Sequence, residues 1–181
     1  PESVLHLLNV FKEVPKELIL IKDNIHNVGR VCVNTTKADK NYVLFGLLEY
    51  DRKRPEVLAK LMQAVEEYAQ SQNKQNIMGP IDINVWFGNR LKMAGFDDQR
   101  SWEPNSPEEY LDHIKALDYQ LDQDYLSCFY TSLMPCFERT KSAYDKVINE
   151  GYTFRNLDPR TEAEINKLYQ MNIGGFSKNY F

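Results

Sequence analysis

Residues 41–82 read NYVLFGLLEYDRKRPEVLAKLMQAVEEYAQSQNKQNIMGPID, and this stretch decides the fold. Asn41–Tyr50 is a nearly continuous apolar run interrupted by Gly46. Such a run predicts a strand covered on both faces, and the glycine predicts a bulge or a close backbone approach. The run ends in Asp51-Arg52-Lys53-Arg54-Pro55. Proline suits the first turn of a helix, where its missing N–H would have had no partner. From Pro55 to about Gln72 the residues Val57, Leu58, Leu61, Met62, Val65, Tyr68 and Ala69 recur at helical spacing, with Lys60, Gln63, Glu66, Glu67 and Gln70 on the opposite side. Asn76–Ile81 then reads as a short strand. A strand, a helix and a strand of this length imply two parallel strands bridged by a crossover helix. Arg52, Lys53 and Arg54 stand at the positive end of that helix, which favours an anion such as phosphate. The plainer alternative makes them solvated turn residues.

With 181 residues the chain can bury a core of its own. It is 43% hydrophobic and 27% charged with a net charge of -4, the composition of an ordinary soluble protein. No basic excess argues for nucleic acid, and no apolar run approaches a membrane span. Nothing at the N-terminus resembles a signal peptide. Cys32, Cys128 and Cys136 lack metal-ligand spacing, and an odd number of thiols fits a reduced, cytoplasmic setting. His6, His26 and His113 are scattered, so no metal site and no Ser-His-Asp hydrolase is expected.

Before the central unit, Glu2–Glu13 predicts a short helix. Glu17–Lys22 and Val28–Asn34 flank a turn-rich stretch and predict an antiparallel hairpin. Thr35–Lys40 is a polar loop. After the unit, 82–101 reads as a long connection, a type of segment that is more often functional than idle. Ser106-Pro107-Glu108-Glu109 predicts a capped helix start, with Tyr110, Leu111, Ile114 and Leu117 inward. Gln120–Thr131 predicts a strand, Pro135–Glu150 a helix closed by Gly151, Tyr152–Leu157 a strand and Thr161–Met171 a helix.

Several of these residues carry a resemblance. Gly79-Pro80 followed by Trp86 and Arg90, then Glu103-Pro104-Asn105-Ser106-Pro107 leading to Tyr110, then Tyr125-Leu126-Ser127, resemble a bacterial family of the GNAT superfamily, the acyl-CoA N-acyltransferases. The likeness spans about Leu18 to Tyr130. It implies an α/β (α+β) fold with a mixed, mostly antiparallel sheet, a central parallel strand pair that splays apart, and helices on both faces. Residues 1–131 would form the GNAT-like domain and 132–150 a connecting helix. Residues 151–181 resemble the start of a second GNAT-like half, or else complete the sheet of the first domain.

The resemblance also implies roles. The donor would be acetyl-CoA or another acyl-CoA, its pantetheine arm on Leu47 and Leu48 and its pyrophosphate at Arg52, Lys53 and Arg54. The acceptor would be a small-molecule amine. Glu49 would be the base, and Tyr110 or Tyr125 the acid; the alternatives are a strand-end pairing of Glu49 with Arg52 or Lys53 and a core role for Tyr110. Trp86, Arg90 and Glu103 would line the substrate pocket, or else pin the long connection through an Arg90–Glu103 pair covered by Trp86. The usual Gln/Arg-x-x-Gly-x-Gly/Ala loop is replaced here by one without glycine. That departure supports a second reading, a GNAT-like binding or scaffold domain without a working CoA loop. Protein partners implied are a second GNAT-like half or a second copy of the chain in a homodimer.

Overall fold

The computed structural model describes residues 16–35, 41–98, 100, 101 and 103–176, with isolated positions between 5 and 14. The chain divides into two compact units, Pro1–Leu121 and Asp122–Phe181. Of the helix expected over 2–13, Leu5, His6, Leu8 and Asn9 are helical; most of the rest, and most of the loop at 35–40, lie outside the described residues.

The first unit holds β1 (Lys16–Asp23), β2 (His26–Asn34), β3 (Tyr42–Tyr50), α1 (Pro55–Ser71), β4 (Asn76–Met78) and α2 (Glu108–Lys115). Its strands form one mixed sheet in the order β1-β2-β3-β4. β1 and β2 make the expected antiparallel hairpin, turning at Asn24, whose φ of 55° suits a residue that tolerates the left-handed region. β2 and β3 are antiparallel, whereas β3 and β4 are parallel, with Tyr42 beside Asn76 and Leu44 beside Met78. The strand, helix and strand therefore form as their spacing predicts.

The core lies between this sheet and α1. Val31 and Val33 from β2 and Val43 and Phe45 from β3 pack against Val57, Leu58, Leu61, Met62 and Val65, all at most 2% exposed. Tyr110 and Ile114 of α2 join the same cluster. Among the described residues α1 and α2 both contribute to this one cluster.

β3 is interrupted where glycine predicted it. Arg30 pairs with Glu49 and Cys32 with Gly46, so two steps on β2 match three on β3. The extra residue is a bulge at Leu47, which has φ 48°. Gly46 answers to a neighbouring backbone: a Cβ there would lie 2.1 Å from the Ile81 carbonyl oxygen. The Ile81 N–H donates to the Phe45 carbonyl at 2.7 Å, so the chain leaving β4 stays against β3 up to the bulge.

Three sequence expectations are corrected. The strand expected over Asn76–Ile81 stops at Met78. Ser106 does not cap α2; its hydroxyl accepts the Lys92 N–H at 2.9 Å and so ties the long connection to the helix start, and Pro107 holds the cap position. The strands expected over 120–131 and 152–157 do not form among the described residues. Alternating apolar side chains make a strand only where a neighbouring strand supplies backbone partners.

The second unit holds α3 (Met134–Asn149) and α4 (Glu162–Phe176). Gly151, with φ 88°, closes α3 as expected, and α4 runs past the expected end at Met171. Neither helix has a buried residue. Tyr144 and Phe154 stack with ring centroids 5.2 Å apart.

Gly46→Ala forces backbone apart, whereas Gly29→Ala meets side chains only, Val57 Cγ1 at 2.6 Å and Leu61 Cδ1 at 3.0 Å. Gly46→Ala is expected to cost about 3 kcal/mol or more and Gly29→Ala clearly less, as read from urea midpoints.

Candidate functional site

The bulge at Leu47 opens onto a cavity of about 430 Å³. Its walls are Leu47, Leu48 and Glu49 of β3, Arg30 of β2, Pro80, Asp82, the segment 88–91, Pro104–Pro107 and Tyr110. Five residues singled out in the sequence therefore meet in one place: Leu47, Leu48, Glu49, Arg90 and Tyr110.

The charges in this cavity are ordered by the bulge. Arg30 reaches Glu49 at 2.7 Å and donates through Nε to the Leu47 carbonyl at 3.2 Å. On the other side of the same residue, the Leu47 N–H donates to Asp82 Oδ1 at 2.5 Å. Both backbone groups of the bulge thus have a charged side-chain partner. Burial is the main force on Asp82 and raises its pKa from the ordinary 3.8, opposed by the Leu47 N–H and by Arg30. The Glu49 side chain stays open to solvent at 65% exposure.

Asp82 is held by a small hairpin. Its N–H donates to the Gly88 carbonyl at 2.7 Å, and the Arg90 N–H donates to the Pro80 carbonyl at 2.8 Å. Ile81 and Asn89 bridge between these bonds. A Cβ on Gly88 would lie 2.4 Å from Asp82 Oδ2, so glycine is what lets the carboxylate pack there. Three non-glycine residues with positive φ cluster around the cavity: Leu47 at 48°, Ile83 at 69° and Arg90 at 73°. Each costs on the order of 1–3 kcal/mol, most for β-branched Ile83, and such strain gathers at functional sites.

Tyr110 faces the cavity but its hydroxyl is committed. It donates to the Tyr50 carbonyl at 3.1 Å and accepts the Tyr50 N–H at 3.0 Å, while the two rings stack at 4.3 Å. Burial raises the Tyr110 pKa. This is the core role that its place on the apolar helix face allows. Tyr50 in turn bonds His113 Nδ1 at 2.8 Å through its own hydroxyl.

The helix start carries its own counter-charges. Arg54 reaches Asp23 and Glu56, both at 2.9 Å, and those two bonds hold its proton more tightly. Arg52 meets Glu109 at 3.5 Å, beside a second cavity that Glu108, Glu109 and Asp112 also line. The Lys53 N–H donates to Asp51 Oδ1 at 3.0 Å. The conflict between three cations and a positive helix end is thus eased by acidic side chains.

Trp86 is 72% exposed and does not line the cavity. Glu103 also stands outside the cavity wall, its N–H donating to the Arg100 carbonyl. Tyr125 belongs to the second unit. The residues that sequence reading passed over are Arg30 and Asp82. Each is a charge inside an apolar strand-like run, Val28-Gly29-Arg30-Val31 and Pro80-Ile81-Asp82-Ile83, which is the signal that marks them.

Among the described residues no group of His, Cys, Asp and Glu could hold a metal ion. Among them, too, no helix is long and apolar enough to cross a membrane. No family model, curated protein or solved structure matches the chain.

Tyr110→Phe leaves the buried Tyr50 N–H and C=O without their partner and is expected to cost about 2 kcal/mol in urea unfolding. Because folding raises the Asp82 pKa above 3.8, the stability this group contributes at low pH is lost as pH climbs through the raised value. Asp82→Asn keeps an acceptor for the Leu47 N–H and carries no charge. The variant's stability relative to the parent is expected to improve as pH rises from about 4, checked by denaturant unfolding across pH.

Proposed function

We propose that the first unit is a GNAT-like acyltransferase domain that transfers an acyl group from acyl-CoA to a small amine. The observation that carries this reading is the central parallel pair. Its backbone hydrogen bonding ends at Phe45–Ile81, and beyond that point a cavity lies between the last residues of β3 and the chain leaving β4. This is where the resemblance puts the splayed strands and the acyl donor. Glu49, ion-paired with Arg30 yet largely open, stands at the cavity wall as the base. The amine nitrogen attacks the thioester carbonyl and gives its proton to Glu49, directly or through water. The C–S bond breaks, and the thiolate leaves and takes up a proton. Orientation of the two reactants supplies most of the acceleration such a transfer needs.

A specific observation favours a second reading, a GNAT-like domain that binds a ligand without transferring an acyl group. The Leu47 N–H and C=O are both in use, and Arg52 and Arg54 already have acidic partners. An acyl-CoA must displace these interactions to bind.

Acetyl-CoA titrated by calorimetry separates the two. Transfer predicts saturable binding, acylated product from a panel of small amines detected by mass, and about a hundredfold loss of product with Glu49→Gln at unchanged acetyl-CoA affinity. No saturable heat at millimolar acetyl-CoA overturns transfer and leaves the binding domain.

A further inference from the structure

We propose that the cavity at the bulge binds a primary ammonium ion carried on a compact apolar body, its charged end seated on Asp82. The inference deepens the reading above by giving the acceptor its charge and shape. It rests on that reading only for the fate of the amine, since the binding itself needs no acyl-CoA.

The argument starts from an unanswered charge. Asp82 lines the cavity and is half-buried, yet among the described residues no cationic side chain lies within ion-pairing distance of it. Its Oδ1 accepts the Leu47 N–H at 2.5 Å, and its Oδ2 has no donor among those residues. The cations on the same wall are engaged elsewhere. Arg30 is held by Glu49 at 2.7 Å and by the Leu47 carbonyl at 3.2 Å, and Arg90 has an interaction of its own. A carboxylate withdrawn from water calls for a cation beside it, and the raised pKa of Asp82 follows from that same withdrawal. A metal ion needs several such donors together, and none are grouped that way among the described residues, so the cation that fits here is organic.

Gly88 marks where the charged end goes. A Cβ there would lie 2.4 Å from Asp82 Oδ2, and Gly88 itself lines the cavity. The space that glycine leaves open therefore adjoins the second carboxylate oxygen. Leu48, Leu91, Pro104 and Pro107 give the same cavity an apolar wall, which suits hydrocarbon and offers nothing to a second charge. A volume of about 430 Å³ is at the small end for a ligand pocket and takes a body the size of a phenyl ring.

The test titrates the whole chain, without acyl-CoA, with butylamine, cyclohexylmethylamine and phenethylamine at up to about 10 mM, read by calorimetry and thermal shift. The alcohol and the carboxylate of matching shape, such as phenethyl alcohol and hydrocinnamate, are titrated in parallel. Saturable binding of at least one amine is expected, weakened at least about tenfold when hydroxyl replaces ammonium and more when carboxylate does. Asp82→Asn, which keeps an acceptor for Leu47, and Gly88→Ala, which fills the space beside Oδ2, are each expected to weaken it at least about tenfold while the melting transition stays cooperative. No binding by any of the amines, or binding of an alcohol as tight as that of its amine, overturns the proposal; this comparison uses the unaltered chain and so decides even where a variant fails to fold. Unchanged affinity in a folded Asp82→Asn or Gly88→Ala protein overturns it too. If an amine binds and acetyl-CoA does not, the transfer reading falls alone; if acetyl-CoA binds and no amine does, this inference falls alone.

Discussion

The first unit depends on how closely the chain leaving β4 approaches β3. At Gly46 the two backbones leave no space for a side chain, and the Ile81 N–H locks onto Phe45. Because the strands are pressed together there, the extra residue in β3 must bulge immediately afterwards, at Leu47. The bulge changes which side chains of β3 face the core: Val43 and Phe45 before it, Tyr50 after it. It also turns a peptide group toward Asp82 and Arg30. The cavity, its charges and the stacking of Tyr50 on Tyr110 all follow from that one tight crossing.

The charged groups around the bulge form a chain of dependence. Asp82 is tolerable in a half-buried place because the Leu47 N–H donates to it and Arg30 lies near. Arg30 in turn has its positive charge answered by Glu49 and by the Leu47 carbonyl. Removing any one member leaves a polar group of the others poorly satisfied, which is the expensive way to break such a network. Nearby, burial pushes the Cys32 thiol up to about 11, so it is a core side chain and not a nucleophile.

Much of this fold was legible in the residues. The helical stripe from Val57 to Ala69, the apolar run of β3, Asn24 at the hairpin turn and the glycine inside β3 each signal their structure through local chemistry. The bulge was legible as a glycine, and five residues singled out in the sequence line one cavity. What could not be read was long-range partnership. The apolar alternation over 120–131 and 152–157 is as strand-like as that of β1, yet among the described residues neither stretch pairs as a strand. Ser106 has a capping residue's sequence context, but the Lys92 N–H claims its hydroxyl. Arg52 to Arg54 invite an anion by position, and acids from β1, α1 and α2 answer first. Asp82 was missed because its significance lies in a bond to a residue 35 positions away.

The crowding at Gly46 and Gly79 has a consequence at the level of the gene. A Cβ at Gly79 would sit 2.3 Å from the Phe45 carbonyl oxygen, much as one at Gly46 meets Ile81. Every missense change of a glycine codon adds at least that carbon. These two codons can therefore drift only through synonymous substitutions, and a saturation library sorted for soluble, folded chains will show them as nearly empty columns. A Cβ at Gly174 or Gly175 would have no atom within 4 Å, so these positions will fill with ordinary helix formers.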